Sequence, residues 1–110
     1  DGQYQASYGC GFDHADQYHR DLSYHQGTVW PWLLGIYMEA LLNVYGPLPE
    51  TVSRIRILLS PMLEHLTQEA LLGGISEIFD GNRPHLPRGC PNQAQAVAEC
   101  MRWQNWLLKQ

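Results

Sequence analysis

The chemistry-bearing residues of this chain gather in two adjacent stretches, Gly74-Ile-Ser-Glu77-Ile-Phe-Asp80-Gly81 and Pro84-His-Leu-Pro-Arg88-Gly-Cys-Pro91-Asn-Gln93-Ala94. Between two helical segments, an acid on a glycine-bounded loop can be held at a pocket mouth instead of on a solvated helix face, which makes Glu77 a candidate general acid or base. The bland alternative is a solvated loop carboxylate. Asp80-Gly81 is a turn signal, and Arg88 with His85 could orient a carboxylate or bind hydroxyls, both charge-assisted uses. Gln93, on the first turn of the following helix, could point back at the same loop or serve only as polar helix-start surface.

A second constellation is Tyr24-His25-Gln26-Gly27-Thr28-Val29-Trp30-Pro31-Trp32. It places an imidazole, an amide and backbone donors just before an expected helix N-terminus, a setting for polar or anionic ligands such as sugars. His25 and Gln26 could equally satisfy local backbone groups, with both tryptophans in the core. Asp13, His14, Asp16 and His19 are metal-capable but lack the regular Cys or His pairs of zinc sites, so no metal site is assigned and no cofactor is expected. Cys90 beside Pro91 sits where a helix N-terminus lowers a thiol pKa, but no motif pairs it with His85, and it reads as a packed thiol.

The elements that must position these groups read as helices. Thr28 is expected to cap a helix that runs from Val29 to near Gly46, with Pro31 in its first turn; it is apolar almost all round and expected to be buried on several sides. A second helix opens at Pro49-Glu50, spaces Val52, Ile55, Leu59, Met62 and Leu66 at helical period, and runs towards Gly73-Gly74, with a kink or break expected near Ser60 because of Pro61. A third starts around Pro91 and carries Ala94, Val97, Met101, Trp103, Trp106 and Leu107. Residues 1–27 show no sustained period and read as a long loop. With no alternating strand pattern of useful length, the fold class is all-α.

Composition narrows the partners. The 110 residues fit one small domain, residues 1–110. A net charge of −4 with only seven Lys and Arg gives no electrostatic footprint for nucleic acid. No run approaches the roughly 18 apolar residues of a bilayer span, so no membrane association is expected. Four Trp and six Tyr suit a ligand that is both apolar and hydrogen-bonding, such as a sugar, as well as an ordinary core. Three cysteines without a CxxC indicate neither a disulfide framework nor a zinc ribbon, and reducing cytoplasm is the expected compartment.

Taken in order, Tyr24-His25-Gln26-Gly27-Thr28-Val29-Trp30-Pro31-Trp32-Leu33, Ser76-Glu77-Ile78-Phe79-Asp80-Gly81, Pro84-His85-Leu86-Pro87-Arg88-Gly89-Cys90, and Gln93-Ala94 with Val97-Ala98-Glu99 closely resemble the C-terminal end of glycogen-debranching enzymes, the amylo-α-1,6-glucosidases. The resemblance runs from about Tyr18 to the C-terminus. It implies a partial (α/α)6 barrel, the terminal helices of a six-hairpin glycosidase toroid whose loops build a sugar pocket. It also implies removal of the single α-1,6-linked glucose at a glycogen or limit-dextrin branch point by an inverting acid/base mechanism. Glu77 matches the family's general-base position, and His25, Gln26, Trp30, His85 and Arg88 would line the glucose site.

The family's general acid is an aspartate on an earlier loop, and nothing upstream of Tyr24 matches its motif. The chain is therefore expected to be the C-terminal part of a longer catalytic domain, inactive alone, with α-glucan and the upstream part of that domain as partners, and to self-associate in isolation. Gln95 stands where the family usually carries Trp. Two other expectations are kept: a non-catalytic carbohydrate-binding remnant, or another (α/α)6 glycosidase of different substrate, although the characteristic strings of the trehalase and glucoamylase kinds are not those seen here.

Overall fold

The computed structural model describes Tyr8 and residues 17–110, with His19 described only for its backbone. Among the described residues, four helices and one small sheet follow one another: α1 Gln17–Gln26, α2 Leu33–Tyr45, α3 Pro49–Gln68, β1 Ile78–Phe79, β2 Pro87–Arg88 and α4 Ala94–Leu107. The chain is thus mostly helical, in keeping with the expected class, with an antiparallel pair that period-two patterning did not reveal. The metal-capable Asp13, His14 and Asp16, and the side chain of His19, fall outside the described residues. No described helix is long and apolar enough to cross a membrane.

Three helices enclose the core. On α3, Thr51, Ile55, Leu59, Met62 and His65 are buried at steps of three and four, one stripe of a 3.6-residue helix. Met38 and Leu41 of α2 and Ala96, Cys100 and Trp103 of α4 are the buried residues that face it, and Ile75 from the α3 to β1 connection joins them. The Trp103 indole N–H donates to the Gly35 carbonyl at 3.1 Å, tying α4 to α2. Arg102 spans the same two helices, reaching Glu99 at 2.7 Å and Glu39 at 3.2 Å. α2 is less enclosed than its composition implied: only Gly35, Met38 and Leu41 are buried, while Leu33, Ile36, Tyr37, Val44 and Tyr45 remain exposed.

Four local expectations are corrected. Residues 17–26, read as loop, form α1; few of its side chains are buried, so it lacks the apolar stripe by which a helix is recognised. Thr28 does not cap the helix that follows; its hydroxyl donates back to the Tyr24 carbonyl at 2.9 Å and closes α1 instead, and α2 begins only at Leu33. Pro61 breaks nothing. It removes the N–H that would have served the Ile57 carbonyl, four residues back, and the Ser60 hydroxyl takes that carbonyl at 2.9 Å while α3 runs on to Gln68. The third expected helix, α4, likewise starts at Ala94 and not at Pro91, with Gln93 in extended conformation before it.

Candidate functional site

The segment from Ile75 to Asp80 is laid antiparallel against residues 86–93. The Gln93 N–H donates to Ile75 O and the Glu77 N–H to Cys90 O, both at 2.8 Å; Ile78 pairs with Arg88, Phe79 with Pro87, and the Asp80 N–H reaches Leu86 O at 2.9 Å. On its other edge Phe79 exchanges two hydrogen bonds with Val29, at 2.8 and 2.9 Å. Glu77 therefore sits on the loop immediately before β1, a stretch tied by backbone hydrogen bonds to residues 86–93.

Its carboxylate is equally constrained. The Tyr24 hydroxyl donates to Oε1 at 2.5 Å and the Cys90 backbone N–H to Oε2 at 3.0 Å, contacts that span 53 and 13 residues of sequence. Each carboxylate oxygen has two lone pairs, so one donor apiece among the described residues leaves both oxygens with acceptor capacity. Gly89, at φ +69, makes this approach possible: a Cβ there would stand 2.6 Å from Glu77 Oε2 and would be strained in the left-handed region.

Tyr24 is itself fixed. Its ring meets Trp30 edge-on at 4.5 Å and His25 at 5.2 Å between centroids, and the Trp30 indole N–H donates to the Tyr24 carbonyl at 3.1 Å. Burial, then the hydrogen bond to Glu77 and the charge of that carboxylate, with a smaller contribution from Tyr8, push the Tyr24 hydroxyl up to about 12. It is a donor throughout the neutral range.

This yields a pH prediction. The folded-state value lies above the unfolded one near 10, so the contribution to stability is complete below pH 10 and is lost as pH rises towards 12. Unfolding curves across that window should fall more steeply for the native chain than for Tyr24→Phe, which has no hydroxyl to titrate; parallel curves would contradict the assignment.

Arg88 and His85 lie on the same hairpin and brace Asp80. Arg88 Nε and Nη2 both reach Asp80 Oδ2, at 3.0 and 2.9 Å, while the Tyr8 N–H donates to Oδ1 at 2.8 Å. Asp80 is only 4% exposed, a buried anion with a cationic partner. His85, at φ +61, places Nδ1 2.9 Å from the Asp80 carbonyl. Of the sequence-predicted residues, then, Glu77, Trp30 and His25 converge around Tyr24, Arg88 and His85 gather on Asp80, and Gln26 is exposed at the end of α1.

Gln93 pairs with Ile75 through its backbone, and its Oε1 is buried with no hydrogen-bond partner among the described residues. The Cys90 side chain, expected to be packed, is exposed, its thiol 3.4 Å from Asn92 O; the backbone N–H of this residue is what reaches Glu77. Tyr24 and Asp80 are the hydrogen-bonding neighbours of Glu77 and Arg88 that sequence reasoning left in lesser roles. A cavity of about 390 Å³ between α3 and the hairpin is lined by Val29, Met62, His65, Ile75, Phe79 and His85, among others, but not by Glu77. Its wall is largely apolar.

No solved structure matches the chain. The model of one protein family, amylo-alpha-1,6-glucosidase, matches residues 1–102, nearly the whole length and including every residue of the Glu77 site. A match of that extent, over motifs that fold together around one carboxylate, shows that the chain belongs to the amylo-alpha-1,6-glucosidase family.

Proposed function

We propose that this chain supplies the general base and part of the sugar pocket for hydrolysis of the α-1,6-linked glucose at glycogen or limit-dextrin branch points. Glu77 takes a proton from a water as that water attacks the anomeric carbon on the face opposite the leaving oxygen, inverting the configuration. The observation that carries this reading is the Glu77 carboxylate held by Tyr24 and the Cys90 N–H, one donor to each oxygen. Both donors fix the carboxylate's orientation without filling its acceptor sites, which a base that must bind a water requires. Tyr24, with its raised pKa, does not compete as the proton acceptor.

His25 and Trp30 form the wall next to Tyr24, and Gln26, His85 and Arg88 complete the glucose site. Asp80, committed to Arg88 and Tyr8, organises the hairpin and is not the acid. The general acid comes from the upstream part of the same catalytic domain, roughly 6.5–9.5 Å from Glu77 to admit the water. In this reading the four helices are terminal helices of an (α/α)6 barrel, and the isolated chain does not turn over glucan. The test is the anomer first released from a phosphorylase limit dextrin by the complete catalytic domain, followed by proton NMR. Inversion predicts β-glucose before mutarotation, and α-glucose as first product would overturn the mechanism.

A further inference from the structure

The stretch that carries Glu77 into β1 is flanked on its outer edge by Val29 and by a helix. At Phe79 the outer edge is paired with Val29, but at Ser76 the same edge faces α3, where His65 stands. His65 Nε2 lies 3.2 Å from Ser76 Oγ and 3.4 Å from the Ser76 backbone nitrogen, and its Nδ1 lies 2.8 Å from Glu69 Oε2. These contacts agree on one tautomer. A proton on Nδ1 is donated to the Glu69 carboxylate, and the Nε2 lone pair then accepts from both the hydroxyl and the N–H of Ser76. His65 is 3% exposed, packs edge-on against Phe79 at 4.9 Å between centroids, and lines the cavity beside the hairpin.

Serine, histidine and glutamate in this order also make the hydrogen-bond chain of a nucleophilic triad. Two facts exclude that role. Ser76 is 2% exposed, out of reach of a substrate carbonyl, and its own N–H shares the imidazole lone pair that would take the hydroxyl proton. What the chain of bonds does accomplish is to satisfy a buried backbone N–H that no strand reaches, at the residue immediately before Glu77.

We propose that Glu69, His65 and Ser76 form a positioning clamp that anchors the segment leading into β1 to α3 and thereby sets where the Glu77 carboxylate lies. Glu69 selects the tautomer, His65 accepts from Ser76, and Ser76 passes the constraint to its neighbour. Only the catalytic consequence of the clamp rests on the reading of Glu77 as the base; its geometry does not.

The test uses the Tyr24 hydroxyl as a reporter of the Glu77 position. With tyrosines labelled at Cζ, and the Tyr24 resonance assigned by its loss in Tyr24→Phe, Glu77→Gln should shift that resonance because the hydroxyl loses its carboxylate acceptor. Glu69→Ala, at an exposed side chain, and Ser76→Ala, a single-atom deletion, should shift it in the same direction without unfolding the chain. In the complete catalytic domain both should lower kcat by about tenfold to a hundredfold, the cost of a carboxylate displaced by about an ångström, and leave KM for the dextrin unchanged. A Tyr24 resonance that stays at the native position in both clamp variants, while Glu77→Gln moves it, overturns the clamp. If the clamp variants do shift it while hydrolysis is untouched both in them and in Glu77→Gln, the clamp stands and the base assignment falls.

Discussion

Glu77→Gln is expected to lower kcat on limit dextrin by about 10² to 10⁴-fold, or about 3–5 kcal/mol of barrier, with the fold intact. The substitution is unusually clean at this position because of what surrounds it. A glutamine oxygen can accept the Cys90 N–H as Glu77 Oε2 does, and its NH2 can donate to the Tyr24 oxygen, since a phenol hydroxyl accepts as readily as it donates. Both contacts persist in reversed or neutral form, so the side chain stays where it is and only its basicity disappears. Initial rates measured beside urea unfolding curves separate the two effects. A kcat within a few-fold of native, with superimposable unfolding curves, would remove Glu77 from the chemistry. The same loss of rate with a large fall in stability would instead assign it a structural role.

The helices were legible where packing imposes a period and obscure where it does not. Ile55, Leu59 and Met62 lie on one buried stripe, and the sequence spacing declared it; α1, with Ser23 among its few buried side chains, offered no such stripe. β1 and β2 are two residues each, too short for alternation to register. Pro61 misled because its cost is set by whether a neighbour can take the freed carbonyl, and Ser60 does.

At the site, Glu77 was visible as an acid between glycines, but its partners were not. Tyr24 meets it across 53 residues, and Cys90 contributes a backbone N–H, a group that side-chain identity does not encode. Arg88 and Asp80 were both noticed separately, eight residues apart, and only the hairpin register brings them together. Thr28 shows the same limit in miniature: a capping residue between two helices can serve either, and the chain direction does not decide which.

Arg88→Met tests what that register is worth. Asp80 and Arg88 have side chains 6% and 21% exposed, so the pair is mostly shielded from water and screening discounts it little. Removing the guanidinium leaves a buried carboxylate with the Tyr8 N–H as its remaining hydrogen-bond donor among the described residues, and the expected loss is about 3 kcal/mol, the lower end for breaking a buried pair, because Arg88 keeps some contact with solvent. The loss should be largely recovered in Arg88→Met with Asp80→Asn, where no uncompensated charge remains; the double change should cost less than the sum of the single ones. Urea unfolding of the three variants measures this.

The double variant also separates the two roles given to Arg88. If the arginine acts only through Asp80, a double variant of near-native stability should bind glucose with near-native affinity. If its guanidinium also contacts the sugar, binding should stay weak after stability has returned, because neither replacement supplies a donor to a hydroxyl. An Arg88→Met chain within about 0.5 kcal/mol of native would show that the ion pair contributes nothing to the fold. Its geometry would then have to be explained by the ligand alone.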